Sequence, residues 1–552
     1  MFDKQVSTLL KGNAFVKEAL KISSETVSGN GSLKYITSGD EFVDNFCSIS
    51  NFKEPRSYNE IAQDMQLLWS IDPLTCLKLA VYIRAITRKT VVDSNIKESI
   101  KGQGLKHEGI FRFIWIAINH PEVFEKNLGI FIAVGSWKDI ITMLNLDLRY
   151  NGWENRKLNW ELLGNAILYG LTLESQTHLI RKYLPTIRTN QNCKTLEAQA
   201  DTIIGRWLAR KIFPYSDKIQ AYRQYRKLKS GGLAHQWQQQ ISRQFYDNIK
   251  FNTIAGRALQ LLVNSKFLDN HNLRAKYTEW IKSQSTAKFT GFVFELFKPL
   301  DAHYSWLSQN YSYDTIDEAT RLTINAQFAT LIGQSKVKTT FLVARDISGS
   351  MLSEAKGCKM SSYSVAKAMA LYFSEFLTGP FANSYVEFAT ECRMKYWVGK
   401  TPVDKWLNDT NGDYGTTDFL SVAHLLVKIR RRGVPESEFP NGLLALSDGD
   451  FDRGSANITN FQEFRQILRN GGFSDEFAKD FKLVLWDIPN TFYRQSNSNL
   501  FEDFADAPNS YHIAGYDASV VSFLMGEGYN PCNSKELFEA VMNQPLLNML
   551  KL

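Results

Sequence analysis

The sequence predicts an α-helical, HEAT-like repeat module followed by an α/β doubly wound, Rossmann-like domain, and three observations predict it. From Tyr58 to about Ile332, apolar residues recur at spacings of three and four in segments separated by short loops. From Lys336 onward, compact apolar runs alternate with helical segments, which reads as a mostly parallel sheet. Charge divides at the same place. Residues 336–552 hold 22 Lys/Arg against 26 Asp/Glu, a balance of −4; with 64 and 57 in the whole chain, residues 1–335 hold 42 and 31, or +11.

The chain of 552 residues is 44% hydrophobic and 22% charged, which excludes a disordered, collagen-like or disulfide-scaffold protein. At roughly 100–200 residues per domain it holds several domains, read as 1–58, 59–335 and 336–552. No apolar run approaches the roughly 18 residues that span a bilayer, and the opening MFDKQVSTLLKGNAF lacks a signal-peptide core, so a cytoplasmic protein without a membrane partner is expected. The six cysteines form no C-x-x-C pair and read as reduced thiols. The eight histidines are dispersed, and H-E-x-x-H, G-x-S-x-G and a P-loop are all missing, so no catalytic residues are assigned and an enzyme is not expected.

Residues 1–58 are polar and rich in Ser, Gly and Asn, as in Ser28-Gly29-Asn30-Gly31-Ser32, and predict turns or short strands packed on the helical module. Helices are predicted at 72–88, 107–119, 160–171, 196–212 and 255–263; the first opens with Asp72 as N-cap and Pro73 at the first helical position. No clean repeat period is visible, so the solenoid is a reading of architecture. In the second part, strands are predicted at 339–345, 385–388, 443–446 and 481–486, and helices at 361–377, 419–430 and 461–469. Val365, Met369, Phe373 and Phe376 lie on one face of the first of these helices, suited to covering a sheet. Such a sheet presents its ligand site at the carboxyl ends of its strands.

Asp346, Ser348 and Ser350 follow a hydrophobic strand at alternate positions, and Thr417 and Asp448 fall in the loops expected beside that strand end. Carboxylates and hydroxyls are the oxygen donors that a hard divalent cation takes, Mg²⁺ foremost. This D-x-S-x-S, distant Thr, then Asp-Gly pattern resembles the metal-ion-dependent adhesion site of von Willebrand factor A domains. The resemblance implies Asp346, Ser348, Ser350, Thr417 and Asp448 as metal ligands, with Thr416 leaving the threonine open by one residue. Asp413, Asp418, Asp450 and Asp452 crowd the same loops, Asp452 reading as a solvated charge.

A helical front joined to such a domain resembles the TROVE architecture of the Ro ribonucleoproteins. Residues 24–46, 134–144, 222–228 with Trp237, and 251–258 resemble a TROVE-like family of plants, fungi, large viruses and phages. Ro proteins form a helical-repeat ring closed by the A domain and bind misfolded non-coding RNA and small Y RNAs, so the resemblance implies an RNA-binding scaffold. Independently of it, residues 181–229 hold twelve Lys/Arg against three acids, or +9, interleaved with aromatics such as Trp207, Phe213, Tyr215, Tyr222 and Tyr225. Cations pair with phosphates and exposed rings stack on unpaired bases. Arg181, Lys182, Arg206, Arg210, Lys211, Arg223, Arg226 and Lys227 are therefore the expected RNA contacts, and His178 is a weaker candidate. Trp137 and Asp139 read as structural. The alternative is an adhesion-type assembly module, a virion protein if the source is a phage or virus, that captures a partner's acidic residue through the metal.

Overall fold

The computed structural model describes residues 18, 21–48, 56–93, 96–189, 193–231, 240–241, 244–289, 291–303, 316–333, 340–355, 358–409, 415–455, 457–488, 500–516, 520, 523–524 and 530–552. The chain folds into two units, neither contiguous in sequence. One joins Met1–Pro55 to Ala255–Gln544, and the other joins Arg56–Ile254 to Pro545–Leu552.

The first unit begins with an antiparallel hairpin, β1 (Glu25–Val27) and β2 (Leu33–Tyr35), followed by the helix Glu41–Ser48. This differs from the expected placement. The hairpin bridges Gly31 to Asp452, Leu33 to Thr459 and Tyr35 to Phe501, so the described N-terminal residues pack on the sheet unit. Hydrophobic and hydrogen-bonding partners there outweigh sequence proximity to the helices.

The second unit is built from helices Tyr58–Ile71, Pro73–Arg84, Lys106–Asn119, Pro121–Val134, Trp137–Asn151, Trp160–Thr172, Glu174–Tyr183, Leu196–Ile212 and Lys218–Gly231. Asp72 caps its helix as expected, accepting from Leu74 N at 3.0 Å and Thr75 N at 3.2 Å. That helix ends four residues short of the predicted end, at Arg84 rather than 88. The following β-branched run enters a hairpin of β3 (Ile86–Asp93) and β4 (Ile96–Gln103), which the helical reading missed. Trp137 and Asp139 are structural: Asp139 completes a capping box with Ser136 and accepts from Arg84 Nη2 at 2.6 Å, both groups being buried. The chain's last residues return to this unit, where Asn127 donates to Lys551 O at 2.6 Å and accepts from Lys551 N at 3.0 Å.

In the first unit the sheet comprises β5 (Leu342–Asp346), β6 (Ser384–Phe388), β7 (Cys392–Tyr396), β8 (Gly442–Ser447), β9 (Lys482–Asp487) and β10 (Ser510–Ala514). Their order is β7-β6-β5-β8-β9-β10, and all pairs are parallel except β6 with β7. Numbered from β5 this is 3-2-1-4-5-6, the doubly wound order, whose switch point lies between the first and fourth strands, β5 and β8. Leu342, Ala344, Leu443, Ala445, Leu483 and Leu485 face helices Leu420–Arg430 and Asn460–Asn470 on one side. On the other side every residue of helix Ser362–Ser374 is buried, so that helix needs a second cover. Helices Val293–His303 and Glu318–Gly333 supply it: Ser364 Oγ donates to Asp301, and Phe328 packs edge-on against Tyr372 at 6.3 Å. This is why residues from 255 onward join the sheet unit instead of the helical module, against the expected boundary at 335/336. No described helix is long and apolar enough to cross a membrane.

Candidate cation site and nucleic-acid surface

Three loops meet at the switch point. Asp346 closes β5 and is fully buried; its Oδ1 accepts from Ser348 N at 2.8 Å and its Oδ2 from Ser447 Oγ at 2.6 Å. The Ser348 and Ser350 hydroxyls lie 3.0 Å apart. Gly349 N donates to Gly415 O at 3.3 Å, which draws in the loop carrying Thr417, and Asp452 N donates to Thr417 O at 2.9 Å, which ties that loop to the third. Of the two threonines, Thr417 is buried and Thr416 exposed. Asp448 follows β8, is buried, and accepts from Asp450 N at 3.2 Å.

Burial first, and then the charge of Asp448, push the Asp346 carboxyl up to about 7; the bonds from Ser447 and Ser348 work the other way. Among the described residues no Lys or Arg pairs with Asp346. Two buried carboxylates repelling one another, with hydroxyls alongside, form an oxygen donor set that a divalent cation would neutralise. Among the described residues no group of three or more His, Cys, Asp or Glu is placed to hold a metal.

The sequence reading missed what holds the third loop. Lys34, on β2 and buried, donates from Nζ to Gly449 O at 2.6 Å and to Glu502 Oε1 at 2.7 Å, and lies 4.8 Å from the Phe451 ring centre. Asn30 N donates to Asp450 Oδ1 at 3.0 Å and Asn30 Nδ2 to Asp450 O at 2.7 Å. A Cβ on Gly29 would stand 2.7 Å from Asp450 Oδ2, so a larger residue there would require the Asp450 carboxylate to shift. Asp450 therefore belongs to a clasp, and Asp452 is half-buried in it instead of solvated. Asp418 caps its helix by accepting from Ser421 N at 3.1 Å, and Asp413 lies outside the described residues.

In the helical unit the expected RNA contacts separate into two groups. Arg206 and Arg210 on helix Leu196–Ile212, and Arg223, Arg226 and Lys227 on the adjoining helix Lys218–Gly231, are exposed and in no ion pair among the described residues. Spacings of three and four put each set on one face of its helix. Tyr215, between the helices, is fully exposed. Lys211 instead pairs with Glu161, and Arg181 and Lys182 are half-buried on helix Glu174–Tyr183, the Lys182 amine lying 5.5 Å from the Tyr183 ring centre.

Two of the aromatics are structural. Trp207 packs edge-on against Trp160 at 5.1 Å, and Tyr225 is buried with its hydroxyl donating to Pro185 O at 2.9 Å. Tyr225→Phe is expected to cost about 1 kcal/mol in urea unfolding, the worth of one net hydrogen bond.

No protein-family model matches the chain, and no curated protein matches it. Among solved structures, the crystal structure of the Deinococcus radiodurans Ro (RSR) protein is similar over 92% of this chain and 100% of that chain, at 10% identity and a TM-score of 0.43. The two architectural parts expected, a helical unit and a doubly wound sheet, are both present.

Proposed function

We propose that this protein is a non-enzymatic, RNA-binding scaffold of Ro ribonucleoprotein type, which holds single-stranded or irregular non-coding RNA on its helical unit. The observation that carries the reading is the set of exposed cations Arg206, Arg210, Arg223, Arg226 and Lys227 on two packed helices, in no ion pair among the described residues. Their charges are not spent on internal carboxylates and remain available to phosphates, with release of counterions. In the sheet unit Asp346, Ser348, Ser350, Thr417 and Asp448 would hold a divalent cation, Mg²⁺ by the hardness of the donors. When bound, the cation offers its open position to an acidic group of a partner, because hydroxyls leave its charge incompletely neutralised. The six cysteines are free thiols, which suits a reducing, cytoplasmic setting.

Fluorescence anisotropy with a structured RNA bearing a single-stranded tail tests the RNA reading. Affinity is expected to fall steeply between about 50 and 200 mM salt. Arg223→Glu with Arg226→Glu is expected to weaken binding by about tenfold or more and to flatten the salt dependence. Binding indifferent to both salt and the double substitution would refute the RNA reading. The assembly alternative is favoured instead if Asp346→Ala strips protein partners from the chain and leaves RNA binding intact.

A further inference from the structure

We propose that the last turn of helix Trp137–Asn151 and the loop joining it to helix Trp160–Thr172 form a stacking platform for an unpaired nucleotide, built from Tyr150, Trp153 and Arg156. The inference rests on the RNA reading and adds a site outside the basic segment that suggested it. Tyr150, in the last turn of the first helix, is 72% exposed and Trp153, in the loop, 38%. The Arg156 guanidinium lies 3.8 Å from the centre of the Trp153 ring and 5.1 Å from that of Trp160. Its Nη1 is buried with no hydrogen-bond acceptor among the described residues, so ring faces hold this cation and no carboxylate neutralises it.

The platform is rigid before any ligand arrives. Asp147, buried beneath the loop, accepts from Asn151 Nδ2 at 2.8 Å, Lys157 N at 3.0 Å, Leu158 N at 3.2 Å and Trp160 Nε1 at 2.8 Å. Gly152, at φ +74°, turns the chain out of the helix. One carboxylate thus fixes both ends of the loop, and little ordering entropy is left to lose on binding.

The chemistry of the occupant follows from the charges. Arg156 lies on the rings and Arg149 and Lys157, both exposed, neighbour them in sequence; the acids there are exposed Glu154 and buried Asp147, whose oxygens are taken up by the loop's own donors, and none of the three cations is in an ion pair among the described residues. A ligand with a planar face and an adjacent negative charge satisfies both features, and an unpaired nucleotide has both: its base stacks and its phosphate pairs. The platform also continues into the basic surface. Trp160, 5.4 Å from Trp153, meets Trp207 on the helix that carries Arg206 and Arg210.

The test is anisotropy of a labelled short oligouridine on the full chain. Trp153→Ala and, separately, Tyr150→Ala are expected to weaken binding about five- to hundredfold, the range of one stacked base. Trp153→Phe is expected to recover most of the loss. The salt slope is expected to stay that of the unsubstituted chain in these variants and to flatten in Arg149→Glu with Lys157→Glu, a split that simple misfolding would not produce. A duplex of equal length is expected to compete poorly, because its bases are already stacked. Equal binding by the unsubstituted chain, Trp153→Ala and Tyr150→Ala would overturn the platform and leave the RNA reading standing. No binding of oligouridine or tailed RNA by the unsubstituted chain would overturn both. Unchanged RNA affinity with loss of a co-purifying protein in Trp153→Ala would make the loop a protein interface instead.

Discussion

Replacing Arg345 by methionine is expected to lower the stability of the sheet unit by about 3–5 kcal/mol, the cost of stranding buried charges. Arg345 is fully buried, one residue before Asp346, and points to the opposite face of β5. Its Nη1 donates to Asp409 Oδ2 at 2.8 Å and its Nη2 to Glu387, and its guanidinium lies 4.9 Å from the Tyr363 ring centre and 5.1 Å from that of Tyr385. Asp409 also accepts from Tyr385 Oη at 2.5 Å, and Lys367 and Lys395 stand 3.2 and 3.3 Å from it. Burial alone would raise the Asp409 carboxyl, yet Arg345 and then Lys367 hold it well below the usual range. A depressed carboxyl contributes stability above its unfolded value near 4, and the contribution disappears as pH falls through the folded value. Urea unfolding measures the loss. Arg345→Lys, which keeps the charge but not the forked donors, is expected to lose less; a lysine variant no better than the methionine one would show that geometry and packing, not charge, set the cost.

Asp346→Asn is expected to act in the opposite direction. Without divalent cations at pH 8 the variant should be more stable than the unsubstituted chain by roughly 2 kcal/mol, because a neutral side chain no longer repels Asp448. The new amide can donate to Ser447 Oγ where the carboxylate accepted from it. The sign follows from linkage. An Asp346 carboxyl at about 7 in the folded chain against 3.8 as its ordinary value keeps a proton that the unfolded chain loses between those values. Its stabilising contribution is therefore full below about pH 4 and lost as pH rises through about 7. Thermal unfolding at pH 5 and pH 8 should show a fall for the unsubstituted chain and a smaller one for Asp346→Asn. Millimolar Mg²⁺ should restore the former and leave the latter unmoved. Equal stabilisation of both proteins by Mg²⁺ would place the cation elsewhere.

The sheet domain was the more legible part of the chain. All four predicted strands and all three predicted helices are present within a few residues, because fully buried parallel strands read as continuous apolar runs and their helices as amphipathic ones. The edge strand β7, with exposed Arg393 and Met394, offers no such run, and β10 is a short segment whose signal is no stronger than a loop's. Local pattern also reached the loops bearing Asp346, Thr417 and Asp448, since each directly follows a strand or opens a helix. Lys34 was beyond its reach. A lysine in a polar segment reads as solvated, and only a carbonyl and a carboxylate more than four hundred positions away make it a buried group. The same limit separated Tyr225 from Arg226: neighbours in sequence, one is core and the other surface, and composition alone averages them.

The interleaving of the two units bears on how the chain is made. Synthesis delivers the hairpin first, yet the loop it clasps, at Gly449–Asp452, follows some four hundred residues later. The helical unit in turn receives a strap, Lys551 on Asn127, from more than four hundred residues further along the chain. Each unit therefore closes only after a segment distant in sequence has been made: the sheet unit waits for Gly449–Asp452 to meet the hairpin, and the helical unit for Lys551 to reach Asn127. Truncation near either end consequently disturbs the unit to which that end belongs in space: loss of the first fifty residues falls on the sheet, and loss of the last eight on the helices.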